Sequence, residues 1–142
     1  MDSVNAPQII EHINSSLTYT PFDVKWVPCS PRFVVVGQTP RANGIIQIYK
    51  MNQGKLEVLN EWIKDKGYKC CTFGSSSLTN RDIAVGDYDG NLTIFDLEKC
   101  TPTYDVKGHK SIINAIDGIG GTGNIGPAEI ITAGRDGIYY IL

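Results

Sequence analysis

Short stretches of alternating apolar and polar residues recur along the chain, and glycine, proline, asparagine or aspartate separates them. Alternation with a period of two predicts β-strands, because successive side chains of a strand point to opposite faces of the sheet. From this pattern we predict twelve strands and no helix. In chain order they are QIIEHI, FDVKWV, RFVVVG, GIIQIYK, KLEVLNEWI, YKCCTF, DIAVGD, NLTIFDL, PTYDVKG, INAIDGI, EIITAG and GIYYIL.

Three parts of the chain repeat one design: a strand, a glycine, a polar turn that ends in glycine, and another strand. The turn glycines are Gly44, Gly90 and Gly137, which lie 46 and 47 residues apart. A period of this size with four strands per unit is typical of β-propeller blades. We therefore predict a single all-β propeller fragment over residues 1–142, with units at approximately 7–50, 51–97 and 101–142.

Asparagine or aspartate precedes each turn glycine, in the pairs Asn43-Gly44, Asp89-Gly90 and Asp136-Gly137. Such pairs favour the positive φ angles of a tight hairpin turn. We therefore expect positive φ angles at all three turns.

The third unit also carries the polar signature of a WD repeat, since Gly108-His109 precedes its strands and Asp136 lies in its turn. In WD repeats such a histidine bonds a turn aspartate and a strand serine or threonine, which satisfies buried polar groups. We predict this structural network for His109, Thr132 and Asp136. Phe95-Asp96 and Leu142 occupy the Trp-Asp position of the second and third units.

Composition agrees with strands rather than helices, because 18 Ile and 9 Val stand against only 7 Leu and 6 Ala. Branched side chains fit a pleated sheet, whereas Leu and Ala are better helix formers. The net charge is −2 and the isoelectric point is near 5.6, so there is no overall positive field to attract nucleic acid or an anionic membrane. We expect neither as a partner, and no transmembrane helix.

The sequence contains no convincing catalytic or cofactor motif. The cysteine spacings do not form a C-x-x-C pair, and the start of the chain lacks the charged and apolar regions of a signal peptide. We therefore expect a cytoplasmic protein with reduced thiols. Gly118, Gly120 and Gly123 fit a dinucleotide fingerprint, but Pro127 and a strand follow instead of the required helix. We predict no cofactor, no metal and no enzyme activity.

Partner contacts are expected in loops rather than in strand interiors. The candidate loops are Thr39 to Asn43, Ser75 to Arg81 and Thr122 to Gly126, with Arg41 and Arg81 as exposed single charges. Nothing in the pattern ranks these loops.

Two other features have simple structural interpretations. Lys64-Asp65-Lys66 is expected to be a solubilising hairpin tip. Trp26 and Trp62 are expected to pack between blades.

Several segments resemble the Monad family of WD-repeat dynein axonemal assembly factors, and the resemblance extends from Pro7 to Gly137. The segments that carry it are PQIIEHI, DVKWVPCS, YKCCTFG, GDYDGNLTIFDLE and VKGHKSIINAIDGIGG. The resemblance implies a seven-bladed propeller that acts as an adaptor of the RuvB-like ATPase and prefoldin-like chaperone machinery. It also implies a role with dynein chains in the cytoplasmic preassembly of axonemal dynein arms, and some links to apoptosis.

Two alternatives remain open from the sequence: a WD-repeat adaptor of a chromatin, ubiquitin-ligase or apoptosis-related complex, and a non-functional truncated product. Seven blades need roughly 315 residues, so three units form only part of such a ring. QIIEHI would complete a final blade, and the strand in GIYYIL would have no outer neighbour. We therefore expect bare edges and a chain that is marginally stable, self-associating or chaperone-bound unless a partner supplies the missing surface.

Overall fold

The computed structural model describes residues 4–121 and 126–142, and every regular element within these ranges is a β-strand. No helix in these ranges is long and apolar enough to cross a membrane. The strands are β1 Thr20–Trp26, β2 Arg32–Gln38, β3 Gly44–Asn52, β4 Lys55–Lys64, β5 Tyr68–Thr72, β6 Asp82–Asp87, β7 Asn91–Asp96, β8 Thr101–Lys107, β9 Ile113–Ile119, β10 Glu129–Gly134 and β11 Tyr139–Ile141.

The strands form three antiparallel sheets, in which each strand pairs with its neighbours in the chain. The first sheet has the order β1-β2-β3-β4, the second has β5-β6-β7-β8, and the third has β9-β10-β11 within the described residues. KLEVLNEWI and PTYDVKG begin the second and third sequence units, yet as β4 and β8 they pair with β3 and β7. A sheet therefore does not coincide with a sequence unit: the first strand of each of these two units is the fourth strand of the preceding sheet.

The predicted first strand, QIIEHI, is wrong. Residues 8–13 do not pair with any of the three sheets, and Ile9 and Ile10 are 100% and 78% exposed. Alternation gives a segment two distinct faces, but a strand also needs a neighbouring edge for its backbone hydrogen bonds. In the described chain no strand pairs with this segment.

The sheets stack in chain order, and two apolar clusters join them. We call the face that a sheet turns toward the next sheet its front face, and the opposite face its rear face. Front residues of the first sheet, such as Ile46, pack on rear residues of the second, such as Phe95. Front residues of the second sheet, such as Leu92, pack on Ile113 and Ile130 of the third. The second sheet is thus covered on both faces.

The hairpin turns differ in one place from the expectation. Gly90 and Gly137 have φ angles of 89° and 80°. In the first sheet the positive φ, 65°, lies at Ala42, and Gly44 is the first residue of β3. Gly44 is needed for a different reason, because a Cβ there would lie 2.0 Å from the backbone oxygen of Lys66.

Candidate functional site

The antiparallel order places the loops at two opposite ends of the sheets. We call one the His109 end, made of residues 39–43, 64–67, 88–90, 107–112 and 135–138. The other, the Arg32 end, is made of residues 27–32, 53–54, 73–81, 97–100 and 120–121. At the His109 end, backbone N–H groups of Gly108 and His109 both donate to the carbonyl of Gly90 at 3.1 Å. At the Arg32 end, the side chain of Arg32 donates to Glu98 at 2.9 Å.

The structure brings together His109, Thr132 and Asp136. The Nδ1 atom of His109 lies 3.0 Å from Oδ1 of Asp136, and its Nε2 atom lies 2.8 Å from Oγ1 of Thr132. His109 and Thr132 are buried, at 1% and 2% exposure. The connection between β8 and β9 supplies the histidine, β10 the threonine and the β10–β11 turn the aspartate. The contact therefore joins a loop to a strand and a turn.

The carboxylate decides the direction of one of these bonds. A carboxylate only accepts hydrogen bonds, so Nδ1 of His109 donates to Asp136, while Nε2 bonds the hydroxyl of Thr132. Backbone N–H groups of Lys110 and Ile138 also donate to Asp136, at 2.9 and 3.2 Å. These hydrogen bonds lower the pKa of the Asp136 carboxyl below its usual value. The bond from the Lys110 backbone has the largest effect, and the bond from His109 has the next largest. Every polar atom of the set is used to hold the turn.

The aromatic ring beside His109 belongs to Tyr140, a residue that the sequence analysis missed. The two ring centroids are 4.9 Å apart and the planes are nearly perpendicular. Leu142, which stands at the expected Trp-Asp position, is 54% exposed and bonds Ile130 through its backbone. Gly134 completes the enclosure, because a Cβ there would lie 2.3 Å from Nδ1 of His109.

The second sheet has its own buried carboxylate, Asp87, which the sequence analysis also missed. Asp87 has no exposed surface, and it accepts from the backbone N–H groups of Asp89 and Asn91 at 2.9 and 2.8 Å. Lys64 of β4 lies 3.5 Å from it and 3.6 Å from Asp105. Lys64 is therefore an ion-pair partner between the first two sheets and not only part of a solubilising tip.

The candidate partner loops differ in their surroundings. Arg41 is exposed at the His109 end. Arg81 lies at the Arg32 end and is half-buried, and its Nε atom is enclosed without a hydrogen-bond partner. The prediction of Arg81 as an exposed charge is therefore wrong. The third candidate loop, 122–126, lies outside the described residues except for Gly126.

Charge is unevenly distributed at the His109 end. The exposed charged residues of its loops are five cations and one carboxylate, namely Arg41, Lys66, Lys107, Lys110, Arg135 and Asp65. Asp87 is buried, and Asp136 is turned inward onto His109. The inward-facing carboxylates leave a basic rim on a chain whose net charge is −2.

The tryptophans have different environments. Trp62 packs against Phe95 of the second sheet, with ring centroids 5.8 Å apart. Trp26 is 60% exposed on the rear face of the first sheet and contacts Phe33, so no second sheet covers it.

The cysteines are free thiols, and Cys70 and Cys71 are buried on opposite faces of the second sheet. Burial raises the pKa of Cys70 to about 12, and it raises the pKa of Cys71 as well. Among the described residues, no group of three or more His, Cys, Asp or Glu side chains is placed to hold a metal ion.

No protein-family model matches the chain. Two solved structures resemble it: the WD40 repeats of RRP9, with a TM-score of 0.66 and 11% identity, and U3-55K, with the same two values. The likeness covers 89% of this chain, and it covers 36% and 37% of those chains. At this identity the likeness shows the fold alone. It confirms the predicted all-β fragment of a WD-repeat propeller.

Curated relatives match the chain at much higher identity. Dynein axonemal assembly factor 10 is 52% identical over 139 residues both in Bos taurus and in Homo sapiens, which is 96% of this chain. In Chlamydomonas reinhardtii the protein of the same name is 42% identical over 139 residues. The chain spans 39% of the length of each of these relatives. Sequence and fold together place the chain in the dynein axonemal assembly factor 10 family, as a homologue of the N-terminal part of these proteins.

Proposed function

We propose that the chain is a non-enzymatic WD-repeat scaffold that serves the preassembly of axonemal dynein arms in the cytoplasm. In this role it is an adaptor of the RuvB-like ATPase and prefoldin-like chaperone machinery, and it contacts dynein chains through that machinery. The observation that carries the proposal is the 52% identity to relatives named Dynein axonemal assembly factor 10 over 96% of the chain.

The polar groups of the site support a scaffold rather than a catalyst. A general base or nucleophile must be free to reach a substrate. His109 is buried, both its ring nitrogens are engaged, and the thiols of Cys70 and Cys71 are enclosed with raised pKa values. The bonds of His109 hold the β10–β11 turn against the connection between β8 and β9, and loops held on a scaffold suit a surface that binds other proteins.

The basic rim at the His109 end indicates how a partner would bind. Complementary charge mainly increases the association rate and selects the partner. The rim therefore fits an acidic surface of the chaperone machinery.

A paired set of charge reversals tests this proposal in ciliated cells. The rim variant combines Lys110→Glu and Arg135→Glu, and the control is Lys99→Glu, whose side chain is 78% exposed at the Arg32 end. The tagged wild type should co-purify RuvB-like ATPases, prefoldin-like subunits and dynein heavy chains, measured by quantitative mass spectrometry. The rim variant should lose most of them, and the control should keep them.

The outcomes distinguish a failure of the proposed function from a failure of the proposed binding surface. Absence of both chaperone ATPases and dynein chains from the wild-type purification would overturn the proposed function. Chromatin or ubiquitin-ligase subunits in their place would assign the chain to another complex. Equal recovery by the wild type and the rim variant would show that the rim is not the binding surface.

A further inference from the structure

The first strands of the three sheets meet on one inner side of the stack. β1 contacts β5 and β5 contacts β9, whereas no comparable contact joins β4 and β8 within the described residues. The sheets of a propeller stand around a central channel, so β1, β5 and β9 line it. Each of these strands begins at the His109 end, and its first residues therefore lie at that mouth of the channel.

Each of these three strands carries a β-bulge near its start. The register with the second strand of the sheet shifts at one extra residue, which is Phe22 in β1, Lys69 in β5 and Asn114 in β9. These residues lie 47 and 45 positions apart, so the bulge belongs to the repeat. The extra residue of a bulge is left out of the pairing and its side chain is re-aimed, a device that is common beside binding sites. The repeat thus brings three different side chains to one mouth of the channel.

Two of these side chains contact each other. The Nζ atom of Lys69 lies 4.4 Å from the ring centroid of Phe22, and that ring lies 5.8 Å from the ring of Tyr88 in the 88–90 loop. Lys69 takes part in no ion pair among the described residues, and Asp23, which follows Phe22, pairs with Lys25 instead. A cation–π contact orients an ammonium group without neutralising its charge. Lys69 is therefore a positioned cation that lacks an anionic partner.

The basic rim adds further cations at the same end of the sheets. In the part of the chain that the structure describes, none of its five cations takes part in an ion pair. Backbone hydrogen bonds join the loops from sheet to sheet, from Tyr88 to Gly67 and from Arg135 to Ile112, each at 2.9 Å. Stacked sheets lie about 10 Å apart, so the rim spans about 20 Å, which is the length of about six residues of extended peptide.

We propose that Phe22, Lys69 and Asn114 form a subsite for one acidic side chain in an extended segment of the partner protein. This inference rests on the proposed function, because the segment belongs to the partner that the basic rim attracts. The aspartate or glutamate carboxylate accepts hydrogen bonds from the Lys69 ammonium and from the exposed Asn114 amide, and its methylene groups lie on the ring of Phe22. The rim cations attract the neighbouring acidic residues of the segment, and the subsite fixes its position.

Fluorescence anisotropy with a labelled oligoglutamate of about six residues, the length of the rim, tests the subsite. The purified chain should bind this peptide and should not bind oligoglutamine of the same length. Lys69→Met and Asn114→Ala should each weaken binding at least about fivefold, because each removes a hydrogen bond to a charged group. Asn114→Ala is the stricter variant, since it leaves the charge of the chain unchanged. Lys99→Met, at a side chain that is 78% exposed at the Arg32 end, is the matched control and should bind as the wild type does.

Three results would overturn the proposal. They are a folded wild type that does not prefer oligoglutamate to oligoglutamine, a Lys69→Met or Asn114→Ala variant that binds as tightly as the wild type, and tighter binding of a single-stranded oligonucleotide of equal charge. Circular dichroism of every variant establishes that the sheets are intact. Failure of the proposed function gives a different result: the wild type would recover no chaperone ATPase or dynein chain from ciliated cells, while the purified chain would still bind oligoglutamate through Asn114.

Discussion

Removal of the His109 side chain should destabilise the fold rather than a binding surface. In His109→Ala the hydroxyl of Thr132 loses its partner at 2.8 Å and stays in a position where the residue is only 2% exposed. The ring of Tyr140 also loses its edge-on contact with the imidazole.

The size of the effect follows from these two losses. A buried hydroxyl left without a partner costs about 1–3 kcal/mol. An edge-to-face aromatic contact contributes about 0.5–1.5 kcal/mol beyond its buried area. We therefore expect the free energy of unfolding to fall by about 2–4 kcal/mol, a large part of the total for a domain of ordinary stability.

Urea unfolding followed by circular dichroism measures this loss, with Thr132→Val as the partner variant. Thr132→Val keeps the shape of the side chain and removes only the hydroxyl. If the two residues share one hydrogen bond, the double variant should lose less than the sum of the single losses, by about 1 kcal/mol. The reasoning is refuted if His109→Ala unfolds at the wild-type midpoint, or if the two losses simply add.

Three further predictions concern the same region and the two loop arginines. Gly134→Ala should lower the free energy of unfolding in urea by about 1–3 kcal/mol, because the new Cβ would lie 2.3 Å from Nδ1 of His109. Gly108→Ala is the control: its Cβ meets nothing within 4 Å, so the free energy of unfolding should change by less than about 0.5 kcal/mol. Arg81→Glu should lower the unfolding midpoint because its Nε is enclosed, while Arg41→Glu should not move it; equal midpoints would contradict this. The hydrogen-bonded carboxylate of Asp136 has a lower pKa in the folded chain than in the unfolded chain, where the pKa of an aspartate is about 3.9. The ionised carboxylate therefore stabilises the fold at pH values above the unfolded pKa. This contribution is lost as the pH falls through the folded pKa. The stability gap between wild type and Asp136→Asn should therefore be present at neutral pH and shrink in acid, and a gap independent of pH would count against the hydrogen-bond assignment.

Much of the architecture could be predicted because the same pattern of strands and turns occurs three times, so each copy supports the assignment of the corresponding strands in the others. Eleven of the twelve predicted strands are present within the described residues. The proposed contacts of His109 could be placed from a glycine-histidine pair and a turn aspartate alone. These signals are local, and the chain repeats the same arrangement of strands and turns.

The features that the sequence did not reveal depend on contacts between distant residues. QIIEHI alternates like a strand, but pairing needs an edge that the described chain does not place beside it. Asp87 gave no signal because its environment comes from Lys64 of another sheet. The enclosure of Arg81 is likewise set by its neighbours in space rather than by its loop sequence.

The alternating thiols of β5 give the molecule two separate chemical reporters. Cys71 lies in the interface between the first and second sheets, and Cys70 lies in the interface between the second and third. Their raised pKa values suppress the reactive thiolate while each interface is closed. The rate at which an alkylating reagent modifies each cysteine therefore measures how often that one interface opens. Mass spectrometry that locates the modified cysteine after a short pulse of reagent would distinguish two events: separation of the first sheet from the second, and separation of the third sheet from the second. The measurement needs no amino-acid substitution.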